Sequence, residues 1–124
     1  MIRSRSVHPL GGAGRHDDDD DDHEWVTVPL VVDKRGKSEE LVDLYSRLLR
    51  DRVVFVGGGI SRPLAQVVTA QLLFLANEDP KAEVSMYINS PGGSISDGLA
   101  IIDTMRSMPC PVATYIVGQA ASMG

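Results

Sequence analysis

Val84-Ser-Met-Tyr-Ile-Asn-Ser-Pro-Gly-Gly93 reads as a strand that runs directly into a glycine bend. Ser94 or Ser96 can cap a helix beginning just after that bend, and Ile95, Leu99, Ile102 and Met105 place an inward face on it through Met108. Pro109 and Pro111 close the helix, and a third strand over Val112 to Val117 then meets Gly118-Gln-Ala-Ala-Ser-Met-Gly124. The same alternation runs upstream. Arg52-Val-Val-Phe-Val is a buried strand stopped by Gly57-Gly-Gly. Ser61 as N-cap, with Pro63 near the first helical position, opens a helix whose Leu64, Val67, Val68, Leu72 and Leu75 share one side. Asn77-Glu-Asp-Pro ends it. Strand and helix alternating at this length predict an α/β fold, built as successive crossover units on a mostly parallel sheet.

Farther upstream, Leu41, Leu44, Tyr45, Leu48 and Leu49 recur at three- and four-residue spacing and predict a short amphipathic helix. Before it, Trp25-Val-Thr-Val-Pro-Leu-Val-Val is a β-prone entry arm broken by Pro29, and a charged linker follows from Asp33 to Glu40. Residues 1–24 are expected to lie outside the fold. Their Arg- and Ser-rich, acid-free start suits either an organellar transit peptide or a disordered tail, and the Asp17–Asp22 tract repels itself in any compact form. Residues 25–124 then form the domain.

With 124 residues, 43% hydrophobic and 23% charged, one small globular domain is the ceiling. Of the net charge of −5, residues 1–24 supply −4, since residues 25–124 hold nine Lys or Arg against ten Asp or Glu. So balanced a body lacks the basic face that nucleic acid binding requires. The lone Cys110 excludes an internal disulfide framework and points to a reducing compartment, where it packs beside two prolines. No run reaches the roughly 18 apolar residues of a membrane-spanning helix.

In parallel α/β sheets ligands gather at the carboxyl ends of the strands, which directs attention to the turns after Asn89 and after Val117. Both are dense in small residues: Gly92 and Gly93 in the first, Gly118, Ala120, Ala121 and Gly124 in the second. Glycine permits close backbone approach, and free N–H groups at a helix start can stabilise an oxyanion. Ser122 among such residues can present its hydroxyl at a strand tip, as in a Gly-x-Ser-x-Gly elbow, although Ala120 stands in place of the first glycine. On this reading Ser122 attacks a carbonyl while the N–H groups of Gly93 and Met123 hold the developing charge, each donor worth on the order of 3 kcal/mol of barrier. Taken singly, Ser-Pro-Gly-Gly is an ordinary turn and Ala-Ala-Ser an ordinary helix contact. Their pairing one helix apart is what suggests chemistry.

Leu44-Tyr-Ser-Arg-Leu-Leu, Tyr87-Ile-Asn-Ser-Pro-Gly-Gly, Asp103-Thr-Met and Gly118-Gln-Ala-Ala-Ser-Met-Gly together resemble, in order and spacing, the proteolytic subunits of the ATP-dependent Clp protease, from about Val28 to Gly124. That resemblance implies a crotonase-like α/β fold, a serine endopeptidase acting on unfolded polypeptides, Ser122 as nucleophile, and Gly93 and Met123 as oxyanion donors. It implies stacked heptameric rings and an AAA+ unfoldase of the ClpX or ClpA type as partner. No cofactor is expected, ATP being used by the unfoldase. Tyr87 and Tyr115 fall where the family's apolar clefts receive unfoldase loops, and both also read as half-buried sheet residues. A mitochondrial location is expected, with cytoplasm or plastid as alternatives.

Two departures qualify the resemblance. The linker from Asp33 to Val42 is longer and more charged than the family's approach to its first helix. The family's order is Ser, His, Asp, yet His8, His16 and His23 all precede Ser122, while Asp97 and Asp103 sit on the third helix and do not match the triad aspartate. The chain by itself is therefore expected to be inactive. A non-catalytic ring subunit is one alternative, and a crotonase-type acyl-CoA enzyme using paired N–H groups on a thioester is another.

Overall fold

The computed structural model of the chain describes residues 3–7, 26–34, 36 and 39–124. Two compact units divide between Arg47 and Leu48.

The first unit is an antiparallel sheet of β1 (Arg3–Val7), β2 (Val26–Asp33) and β3 (Glu40–Asp43), with β2 central. β1 pairs with β2 from Arg3↔Leu30 to Val7↔Val26, and β3 pairs from Leu30↔Asp43 to Asp33↔Glu40. Pro29 is tolerated in this central strand because β3 reaches only to Leu30, so the missing N–H interrupts no second ladder. Part of the leader thus joins a sheet, where the sequence reading set residues 1–24 outside the fold; the Asp tract lies outside the described residues. Leu41 belongs to β3 and not to the following helix, α1 (Leu44–Arg50). Asp43 caps that helix, accepting from the Ser46 N–H at 2.9 Å. Within this unit the Arg47 Nε stands 3.6 Å from the carboxylate of Asp33, which is only 2% exposed, so this buried charge is paired.

The second unit is a parallel sheet in the order β4 (Val53–Gly57), β5 (Val84–Ser90), β6 (Val112–Ala120), joined by α2 (Arg62–Glu78) and α3 (Ile95–Ser107). Ser61 caps α2, its hydroxyl accepting from the Leu64 N–H at 3.4 Å, and Pro63 sits in the first turn where no helical N–H is needed. Ser94 is the cap of α3, accepting from the Asp97 N–H. The core joins Val54 and Val56 of β4, Val84 and Met86 of β5, Ala65, Val68, Leu72 and Leu75 of α2, and Ile101 of α3, with Cys110 buried beside them. Burial of so many aliphatic groups, each worth roughly 1.5 to 3 kcal/mol, is the main force holding this unit.

The helix faces differ from expectation in detail. On α2, Val67 is exposed and Ala65 is buried. On α3, Ile95 and Leu99 are exposed, and the inward stripe is Gly98 and Ile101 with Met105 partly buried. On α3 the inward face follows a close contact: Gly98 lies against the Met123 side chain, where a methyl group would fall 2.6 Å from the Met123 Cε. A hydrophobic period weights large residues and overlooks a contact that demands a small one.

The last strand is also longer than expected. It continues past Val117 to Ala120 because Gly118 takes a φ of +86°, open to glycine, and the pairing with β5 shifts there. The turn that carries Ser122 therefore begins after Ala120.

Candidate active site

The glycine bend after β5 is fastened first. The Ser90 hydroxyl, fully buried, accepts from the Gly92 N–H at 3.1 Å, and the Ile60 N–H donates to the Gly92 carbonyl at 2.9 Å. The Ser94 N–H donates to the Ile60 carbonyl at 2.9 Å, making Ile60 and Gly93 a parallel bridged pair. In such a pair the bonds run to the neighbours of Gly93, so Gly93's own N–H points the opposite way, toward the β6 side. Gly93 must be glycine, since its φ is +154° and a Cβ would fall 2.8 Å from the Ile60 nitrogen.

On the β6 side the Ala121 N–H donates to the Ser90 carbonyl at 3.0 Å, and the Gly124 N–H closes a turn onto the Ala121 carbonyl at 2.8 Å. Ser122 occupies the first corner of that turn with φ +51°, the left-handed region that non-glycine residues rarely enter. The residue is exposed. A Cβ placed on Gly92 would lie 2.8 Å from the Ser122 Cβ and 3.0 Å from the Met123 nitrogen. Gly92, Ser122 and the Met123 amide are thus brought into contact, with Gly93 next in the chain. Behind the turn, Met123 lines an apolar cavity of about 160 Å³ together with Met86, Ile88, Ile101 and Met105.

Chemically, the arrangement offers a hydroxyl held in a strained corner at a sheet's carboxyl edge, with backbone amides beside it. Strain of this kind costs on the order of 1–3 kcal/mol and concentrates at functional sites.

Tyr87 and Tyr115 lie elsewhere, on the sheet face opposite the core. Their rings stack at 4.9 Å and 18°, and Phe55 stacks on Tyr87 at 5.7 Å and 29°. The register Phe55↔Tyr87↔Tyr115 aligns the three across β4, β5 and β6. Tyr87 is half-buried; Phe55 and Tyr115 are exposed. Phe55 was legible as a sheet residue but not as the third ring, since pairing register is not contained in one strand's sequence. Neither was the packing of the Asn89 amide on Gly118 visible, where a Cβ would meet Oδ1 at 2.8 Å.

Among the described residues no group of three His, Cys, Asp or Glu could hold a metal ion, and no helix is long and apolar enough to cross a membrane.

Residues 36–124 match the Clp protease family. The chain is 58% identical over 101 residues to ATP-dependent Clp protease proteolytic subunit 2 of Chlamydia abortus, covering 82% of this chain and 49% of that protein. It is 58% identical over 97 residues to the subunit 2 of Chlamydia pneumoniae, and 57% identical over 97 residues to the subunit 1 of Chlamydia felis, covering 78% of this chain and 48% of the relative in each case. The chain spans about half the length of the curated relatives it matches. A match over most of its length, on a parallel strand-and-helix framework that agrees with it, shows that the chain belongs to the Clp protease family.

Proposed function

We propose that this chain supplies the nucleophile and oxyanion half of a serine endopeptidase site. The observation that carries the reading is Ser122: exposed, left-handed, and packed against Gly92 beside the Met123 amide. Its Oγ attacks the scissile carbonyl, and the new tetrahedral oxygen takes hydrogen bonds from the N–H groups of Gly93 and Met123. The C–N bond then breaks, leaving an acyl-serine that water hydrolyses. A base must take the hydroxyl proton and return it to the leaving amine. The histidines of this sequence, at positions 8, 16 and 23, lie outside the described residues, so no base is assigned.

Family membership supports assembly in a Clp protease complex. Within it the finer reading is a stacked heptameric ring fed by an AAA+ unfoldase, whose loops meet the ring stack of Phe55, Tyr87 and Tyr115. The Arg- and Ser-rich start of the chain favours a mitochondrial location.

The test is selective labelling by a fluorophosphonate, read by peptide mapping. Each oxyanion donor lowers the barrier by on the order of 3 kcal/mol, so with imidazole supplied in solution as the base Ser122 should react at least about a hundredfold faster than Ser94, Ser96 or Ser107. Labelling at Ser122 no faster than at those serines defeats the reading.

A further inference from the structure

β5 and β6 do not stay in one register. From Val84↔Val112 to Ile88↔Ile116 the partners differ by a constant step, but Ser90 then pairs with Ala120. Three residues, Val117, Gly118 and Gln119, therefore stand opposite the single residue Asn89. The extra length is two residues, and that number matters. Because side chains alternate along a strand, a two-residue slip preserves which face each side chain takes, whereas a one-residue slip would reverse it. Carried forward, the original register sets Ala120 across from Gly92. The shifted register sets Ser122 there, and the observed contact of the Ser122 Cβ with Gly92 agrees with the shifted count.

We propose that this bulge is the positioning device of the site, with Gly118 and Asn89 as its positioning residues. Gly118 supplies the left-handed φ of +86° that stores the extra length. The side-chain amide of Asn89 lies over the Gly118 Cα, where a Cβ would stand 2.8 Å from Oδ1 and 3.3 Å from Nδ2. Asn89 is itself tied to β4, its carbonyl accepting from the Gly58 N–H at 2.9 Å, so the bulge is referenced to the neighbouring strand. Removing the two extra residues would carry Ser122 about 6.6 Å along the strand, at roughly 3.3 Å per residue, and away from the glycine bend. The functional meaning of the device rests on Ser122 being the nucleophile; the geometric claim does not.

Isotope-labelled chain tests this by nuclear Overhauser contacts. The wild type should show contacts from the Ser122 β protons to the Gly92 α protons, and between the Tyr87 and Tyr115 rings. Gly118→Ala should lose the first contact, by about fivefold or more in intensity, and keep the second. Gly118→Ala with Asn89→Gly separates the two causes: it removes the steric contact but not the dihedral demand, and should restore the signal only in part. If Gly118→Ala does not fold, Asn89→Ala, which leaves φ free, should weaken the Ser122 contact while the ring contact stays. Unchanged Ser122–Gly92 contacts in these variants, or their absence in the wild type, overturn the proposal. A fluorophosphonate result against Ser122 sinks the peptidase reading alone.

Discussion

A methyl group added to Gly92 would strike the β-carbon of Ser122 at 2.8 Å, so the glycine bend after β5 and the serine turn after β6 share one small volume. Gly92 also holds φ +101°, where a side chain is strained whatever the space. Gly92→Ala should therefore cost about 2 kcal/mol in urea unfolding and displace the Ser122 turn. Fluorophosphonate labelling of Ser122 should fall at least about tenfold; unchanged labelling would show that the two bends are independent.

Arg52 fastens the far end of α2. Its guanidinium donates to the carbonyls of Leu75 at 2.9 Å, Asp79 and Ala82 at 3.0 Å, and Glu83 at 3.2 Å. The Leu75 carbonyl also accepts from the Asp79 N–H at 3.1 Å, while those of Asp79, Ala82 and Glu83 lie in the loop behind the helix end, where water would otherwise serve them. Lysine is a point charge and cannot reach all four, so Arg52→Lys should destabilise by about 2 kcal/mol in chemical denaturation. A loss below about 0.5 kcal/mol would mean that water replaces the clamp at no cost.

The stack of Phe55, Tyr87 and Tyr115 lies on the sheet face opposite the core, so its value for stability is modest. Tyr87→Ala should cost about 1 kcal/mol while Tyr87→Phe is neutral. If an unfoldase loop docks there, Tyr87→Ala should abolish binding of a fluorescent apolar loop peptide, and Tyr87→Phe should retain it. Equal binding by both variants would remove this face from the docking account.

Asp43 gives α1 a pH dependence. Its carboxylate accepts from the Ser46 hydroxyl at 2.6 Å and from the Ser46 N–H at 2.9 Å. Those two bonds, the hydroxyl first, hold its pKa below the ordinary 3.8 despite slight desolvation. A depressed carboxyl contributes stability that is complete above its unfolded value and is lost as pH falls through the folded one. Chemical shifts of Leu44–Arg50 should accordingly move toward coil between about pH 5 and about pH 2. Asn at position 43 keeps a cap without titrating, so Asp43→Asn should flatten that response; an identical titration in the variant would assign it to another group.

The strand and helix order of the second unit was legible because Ser61, Pro63, Ser94 and Pro109 punctuate it by local rules that tertiary contacts did not overturn, whereas β1 and β3 of the first unit were not. Ser122 was legible as a candidate because small residues crowd its turn. Less could be read where two segments meet. The inward face of α3 depends on Met123 pressing on Gly98, twenty-five positions downstream. The length of β6 depends on a bulge that Asn89 supports from the neighbouring strand. Phe55 joins Tyr87 and Tyr115 only through the sheet's register. A single segment's periodicity records its own burial and carries no trace of such partners.

The central claim is most directly tested by a crystal structure of the protein phosphonylated at Ser122. The phosphoryl oxygen should lie between the backbone nitrogens of Gly93 and Met123, at about 2.7 to 3.1 Å from each. A phosphoryl oxygen turned to solvent, with both amides engaged elsewhere, would contradict it.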